Sequence, residues 1–307
     1  MRYFLGIDAG GTKTTAVLAD AQTVLTRAHS GSIKVTRTGA DAARQNLAAI
    51  FSDLERQSGV SAQSIASTCI GLSGVTVPEI ADWARAELCK HLQGTVHLCG
   101  DEEIALDAAF HGGPGVLVIA GTGSNVVGRL PHGEIFHLGG WGPVLSDEGS
   151  GYWIGLQAVR ATLQALDRGE PTKLYAEILR CWKIGSHTEI VEVGNRVPGP
   201  DFSQLARGVS TCAEQGDAVA LRVLQEGGSL LGTMATFALH RLKSAGSPAG
   251  GPLHLAFTGS VAAHVAPLRE ALIATVHASF PEVTVHPKPV DAALGAVWRA
   301  QQAVSTH

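Results

Sequence analysis

The chain has 307 residues, 45% of them apolar and 16% charged, with a formal net charge of −4. That leaves room for two domains, each with a buried core, and argues against disorder. No basic stripe is present to hold nucleic acid, and no apolar run approaches the roughly 20 residues that cross a bilayer.

The five cysteines, at 69, 89, 99, 181 and 212, form no CxxC pair. Widely spaced thiols and the lack of a signal-peptide pattern point to a reducing cytoplasm.

The first predicted elements are strands at 3–7, 14–19 and 23–28, a meander around Asp8-Ala9-Gly10-Gly11-Thr12-Lys13-Thr14. Residues 39–58 read as a helix, because Ala43, Leu47, Ile50, Phe51 and Leu54 recur on one face. A strand follows at 65–72, then a helix over 78–92 opened by Pro78, a strand at 95–99 and a helix at 102–110. Gly112-Gly113-Pro114-Gly115 breaks the pattern. After it, a strand at 116–120, the loop Ala120-Gly121-Thr122-Gly123-Ser124-Asn125, and strands at 125–130 and 134–138 repeat the opening order. The expected boundary lies at 112–115, with a first lobe over 1–112, joined by a last helix near 290–305, and a larger lobe over 113–289. The second lobe is largely helical from 149 to 242. A Gly/Pro/Ser patch at 244–252 precedes a strand at 253–257, a helix over 261–279 and an edge strand at 283–286. The last helix carries Ala292, Ala293, Gly295 and Ala296, small enough to lie against another backbone.

The two Gly-Thr loops are the most informative local pattern. Consecutive glycines offer N–H donors with no Cβ in the way, and the hydroxyls of Thr12, Thr14, Thr122 and Ser124 with Lys13 add donors and charge. Gly6 to Gly11 has P-loop spacing, but Thr12 stands where the lysine belongs and a strand follows instead of a helix. A matched pair of loops suits a polyphosphate held by two similar lobes. Asp8, just past a strand, is placed to hold Mg²⁺ near it. Asp101, between a strand and a helix, is placed to take a proton from a sugar hydroxyl, while Glu102 and Glu103 suit the helix dipole. In the run Gly139-Gly140-Trp141-Gly142 to Asp147-Glu148-Gly149-Ser150, Trp141 could stack on a sugar and Asp147 could bind hydroxyls. His132 and His137 flank Glu134 in a turn and match no zinc spacing.

Together these segments resemble the sugar-kinase branch of the actin, Hsp70 and hexokinase superfamily. Within it the chain looks like the N-acetylglucosamine kinase family, grouped with glucosamine kinases and activating ATPases. The resemblance runs from about residue 3 to 300. The two loops match phosphate motifs, 255–260 looks like an adenosine motif, and the Trp141 segment is specific to the group. The resemblance implies an α/β fold of two ribonuclease-H-like lobes with ATP and sugar in the cleft between them. Asp101 would be the base. Gly10, Gly11, Thr12, Lys13, Thr14, Gly121, Thr122 and Gly123 would face ATP phosphates, with Gly259 and Ser260 beside the adenosine. Ser124, Asn125, Gly140, Trp141, Gly142 and Asp147 would line the sugar pocket. ATP and Mg²⁺ are the implied cofactors, and relatives allow a homodimer.

The family carries a sugar-binding asparagine in the loop after the third strand; here Ile33 occupies that place. The Trp141 segment leans toward N-acetylglucosamine, whereas 288–295 looks as much like glucosamine kinases. The leading expectation is a kinase acting at the sugar's C6 hydroxyl. The alternatives are an activating ATPase, which needs cysteines grouped for an iron–sulfur cluster, and a non-catalytic sugar-binding regulator.

Overall fold

Strand β1 (Tyr3–Ala9) lies at the centre of a five-stranded sheet, and its side chains alternate between two cores. In the computed structural model, which describes residues 2–246 and 252–305, the chain forms two compact units. The first joins Met1–Gly113 to Val290–His307; the second is Pro114–Pro289. Elements are numbered in chain order.

In the first unit, β1, β2 (Lys13–Ala19) and β3 (Val24–Gly31) run antiparallel, and β4 (Ile65–Leu72) and β5 (Thr95–Cys99) continue the sheet parallel to β1. The order is β3-β2-β1-β4-β5. A single turn, α1 (Val35–Thr38), leads into α2 (Ala40–Ser58), whose buried face is Ala43, Leu47, Ile50, Phe51 and Leu54, as the periodicity predicts. α3 is Pro78–Leu88, shorter than expected, and α4 is Asp101–Phe110. Leu5, Ile7 and Ala9 pack with α2 and α3; Phe4 packs on the other face with α4 and the last helix, α12 (Ala292–Ser305). A Cβ at Gly6 would overlap the Ala293 carbonyl, and one at Gly295 would overlap the Ile104 carbonyl. The small residues of α12 are therefore needed for its approach to β1 and α4. Arg299 fixes it there, pairing with Asp107 at 2.6 Å and Glu103 at 2.7 Å.

The second unit repeats the plan. β6 (Gly115–Ala120), β7 (Ser124–Arg129) and β8 (Ile135–Gly139) are antiparallel; β9 (His254–Thr258) and β10 (Thr284–Val285) extend the sheet in parallel, giving β10-β9-β6-β7-β8. Its helices are α5 (Gly151–Arg168), α6 (Leu174–Trp182), α7 (His187–Gly194), α8 (Ala206–Glu214), α9 (Ala218–Ser244), α10 (Ser260–His264) and α11 (Ala266–Ser279). The two sheets with their helices are the α/β fold of two ribonuclease-H-like lobes, of actin and hexokinase type.

The single helix expected over 261–279 is two helices, because Pro267 sits in the first turn of α11 and has no N–H to continue the ladder. Arg269 Nη1 instead donates to the Ala262 and Ala263 carbonyls at 3.0 and 2.9 Å. Residues 247–251 of the Gly/Pro/Ser patch lie outside the described residues. All five cysteines are free thiols. Among the described residues no helix is long and apolar enough to cross a membrane.

Candidate active site

The β1 alternation that buries Leu5, Ile7 and Ala9 on one face turns Asp8 to the other, toward the start of α4 and the segment before α12. Its carboxyl is pushed up to about 6, first by burial, then by the charges of Asp101 and Asp291, with Lys13 acting the other way. Asp101 is the first residue of α4. Gly100, not Asp101, is the N-cap, and Glu103 closes that cap by accepting from the Gly100 N–H at 3.1 Å. The Asp101 carboxylate lies at the helix start, beside the first-turn N–H groups of Asp101 and Glu102. Burial holds its pKa above the ordinary range, opposed by nearby backbone N–H groups and by Lys34. Among the described residues no side chain forms an ion pair with it.

The first Gly-Thr loop is the β1–β2 turn, in register from the Ala9–Thr14 pair. Gly10 and Gly11 do not have left-handed φ angles. A Cβ on Gly11 would meet only Arg37 Nη1, at 3.8 Å. The fold itself does not require glycine there. Thr12 and Lys13 are exposed. Thr14 is fully buried, and its hydroxyl donates to the Gly31 carbonyl at 3.0 Å, a bond that ties β2 to β3.

In the second unit the corresponding loop joins β6 to β7 and is docked on the start of α5. Gly151 N–H donates to the Gly121 carbonyl at 2.7 Å, and Tyr152 N–H to the Thr122 carbonyl at 3.3 Å. Gly121 again has open space: a Cβ there would come no nearer than 4.0 Å to Ser260. Gly259 is different. Its φ is +93°, and a Cβ would overlap the Ala120 carbonyl. β6 and β9 are parallel neighbours, so this close approach sets the 258–260 turn beside the 121–123 loop. Gly121, Thr122 and Ser260 line one cavity of about 630 Å³ with Ser203, Arg207 and Thr211. The volume suits a nucleoside-sized ligand.

Beside that loop, Asp147 is held in the left-handed region at φ 65°, a strained setting for a residue other than glycine. It is buried, and its Oδ1 accepts from Gly142 N–H at 3.3 Å. A Cβ on Gly123 would come within 2.8 Å of its Oδ2. Burial pushes its carboxyl up, Gly142 N–H opposes the rise and Glu148 adds to it. Asn125 lies against Gly140, where an added Cβ would meet the Asn125 side chain at 3.0 Å. Ser124 is buried and donates to the Glu148 carbonyl at 2.8 Å, so its hydroxyl anchors the segment. Trp141 is 76% exposed. Of the predicted sugar residues, Asn125, Gly140, Gly142 and Asp147 gather with the second loop, and Trp141 stands out into solvent.

A model of the BadF/BadG/BcrA/BcrD ATPase family matches residues 5–300. The chain belongs to that family. This BadF/BadG/BcrA/BcrD-family chain is 32% identical over 234 residues to an N-acetylmuramic acid/N-acetylglucosamine kinase of Clostridium acetobutylicum, covering 74% of this chain and 76% of the relative. It is 26% identical over 227 residues to a glucosamine kinase of Vibrio cholerae, with the same coverage of 74% and 76%. Its structure matches that of a candidate N-acetylglucosamine kinase from Chromobacterium violaceum with a TM-score of 0.72 at 27% identity, over 97% of this chain and 98% of the other. The family resemblance expected from the motifs therefore holds.

Of the predicted residues, Asp8 is the one that would hold a Mg²⁺. Among the described residues no three His, Cys, Asp or Glu side chains converge as a metal-binding set. Ser203, Arg207 and Thr211 were not legible as site residues. Their spacing does form one polar helical stripe, but nothing local in the sequence says that this stripe borders a cavity.

Proposed function

We propose that the protein transfers the γ-phosphoryl group of ATP to a hydroxyl of an amino sugar, N-acetylglucosamine first, at C6. The observation that carries this is the state of Asp101: a partly desolvated carboxylate where β5 gives way to α4, with no side-chain ion pair among the described residues. A group in that state can accept the sugar's proton as the phosphoryl group arrives. Gly11 and Gly121, whose glycine identity the fold does not require, bring backbone N–H groups close to phosphate oxygens, with the hydroxyls of Thr12 and Thr122 beside them. The adenosine fills the cavity between Thr122, Arg207 and Ser260. Asn125, Gly142 and Asp147 orient the sugar. Asp8 would hold Mg²⁺, which when bound offsets charge on the polyphosphate.

The relatives support an amino-sugar acceptor, and glucosamine is the second reading, carried by the Vibrio cholerae relative and the 288–295 segment. The cysteines speak against an activating ATPase. Cys69, Cys99 and Cys212 are buried, and the two more accessible thiols, Cys89 and Cys181, belong to different units of the chain and form no adjacent pair for a cluster.

The test is ADP release across glucosamine, N-acetylglucosamine, N-acetylmuramic acid, N-acetylmannosamine and glucose. Release is expected only with Mg²⁺ and an amino sugar. Asp101→Asn should lower kcat by roughly 10²- to 10⁴-fold with ATP binding retained. Near-full activity in that variant removes Asp101 as the base.

A further inference from the structure

The loop after β3 departs from the family pattern at the position where a sugar-binding asparagine is expected, and the structure shows what replaces it. Ile33 is 1% exposed and belongs to the core beneath α2. It cannot reach a ligand. The next residue, Lys34, is half-buried at the head of α1, and its backbone is fixed from both sides. Ser32 Oγ donates to the Gly10 carbonyl at 3.1 Å and accepts the Lys34 N–H at 3.1 Å, which couples this loop to the first Gly-Thr loop. Asn46 of α2 donates to the Ser32 carbonyl at 2.9 Å. The Arg37 N–H donates to the Lys34 carbonyl at 2.9 Å.

The Lys34 ammonium makes one long hydrogen bond, 3.3 Å to Ser73 Oγ in the segment after β4. Among the described residues no carboxylate pairs with it. Asp101 is near enough to feel its charge without forming an ion pair. An ammonium carries three donors, and this one has a single neutral partner among the described residues, which leaves donors for a ligand. It is held by a rigid loop at the strand ends that carry the proposed base. That is the setting of a recognition group awaiting an anion.

We infer that Lys34 is a specificity-determining residue that binds a carboxylate substituent on the acceptor, so that the preferred substrate class is an acidic amino sugar. The inference rests on the amino-sugar kinase reading and narrows it. A carboxylate on the sugar completes the ammonium's coordination. An uncharged N-acetyl sugar leaves it as it stands, and a cationic glucosamine is repelled.

The experiment measures kcat/KM on the full chain for three acceptors: N-acetylmuramic acid, its uncharged methyl ester and N-acetylglucosamine. Wild type, Lys34→Met and Lys34→Arg are compared. A charge-assisted hydrogen bond implies that the wild type prefers the acid over its ester by about tenfold or more. In Lys34→Met that ratio should collapse to within about twofold of one, and Lys34→Arg should retain most of it. Raising salt should erode the ratio in the wild type, because the contact is partly exposed. Equal use of acid and ester by the wild type overturns the inference without recourse to any variant. So does a loss in Lys34→Met that is equal for all three acceptors, which would place the ammonium on the transferring phosphoryl group. If no amino sugar supports ADP release, the kinase reading itself fails and the inference falls with it; turnover of N-acetylglucosamine without acid preference sinks only the inference.

Discussion

Asp8 shows how one side chain links stability to function. Its folded carboxyl titrates near 6 against an ordinary value of 3.8, chiefly through burial. The folded state therefore binds this proton more tightly than the unfolded state. The stabilisation is fully present below the unfolded value and is lost as pH rises through about 6, so at neutral pH the ionised group is a cost. Replacing it by asparagine should raise stability at pH 7.5 by about 2–3 kcal/mol and leave it unchanged near pH 4, while activity falls. Urea unfolding at the two pH values measures this; an equal effect at both would show that the charge is not the cause. On the acid side kcat/KM should decline as Asp8 and Asp101 take up protons. The sequence placed Asp8 just past a strand, whereas it is the penultimate residue of β1; Asp101 does follow β5, as expected. Thr14 adjoins the Gly-Thr loop, and its hydroxyl is turned to the Gly31 carbonyl. Lys34, the proposed recognition group, was not legible in the sequence, because only the burial of Ile33 reveals which of the two neighbours faces outward.

Among the turns, the glycines divide into two kinds. Gly259 has φ +93° and no room for a Cβ, so it is demanded by the joint between β6 and β9. Gly11 and Gly121 have neither constraint. Changing either of these two to alanine should alter stability by less than about 1 kcal/mol. The same changes should raise the KM for ATP about tenfold, if a backbone N–H contact to phosphate is lost. Thermal unfolding and ADP release on the same samples separate the two effects. An unaltered KM would mean that the loops are ordinary hairpin turns. At this scale most of the fold could be read from periodicity alone. The helix over 40–58 and the strand over 65–72 follow from apolar spacing. The break at Val265 did not, since proline is tolerated in a first turn and its presence does not say whether a helix starts there or merely bends.

Over the whole molecule, the repeated strand order is the deepest regularity, and the sequence carried it only as a repeated order of apolar runs and loops. The first unit is assembled from both ends of the chain. Its seam is Arg299 of α12 against Glu103 and the buried Asp107 of α4. Arg299→Met removes the guanidinium from the buried Asp107 and from Glu103 and should cost about 3–5 kcal/mol. Hydrogen exchange should then show protection lost across 1–113 while amides of 114–289 keep theirs. Uniform loss across both would mean that the two units unfold together.

The same seam has a consequence for synthesis. Phe4, Val17, Cys69 and Cys99 face a helix that is translated only after all of the second unit. On the ribosome the opening sheet waits half-clothed, with one oily side bare, through most of elongation. The nascent chain thus presents chaperones with a window that shuts only when α12 emerges.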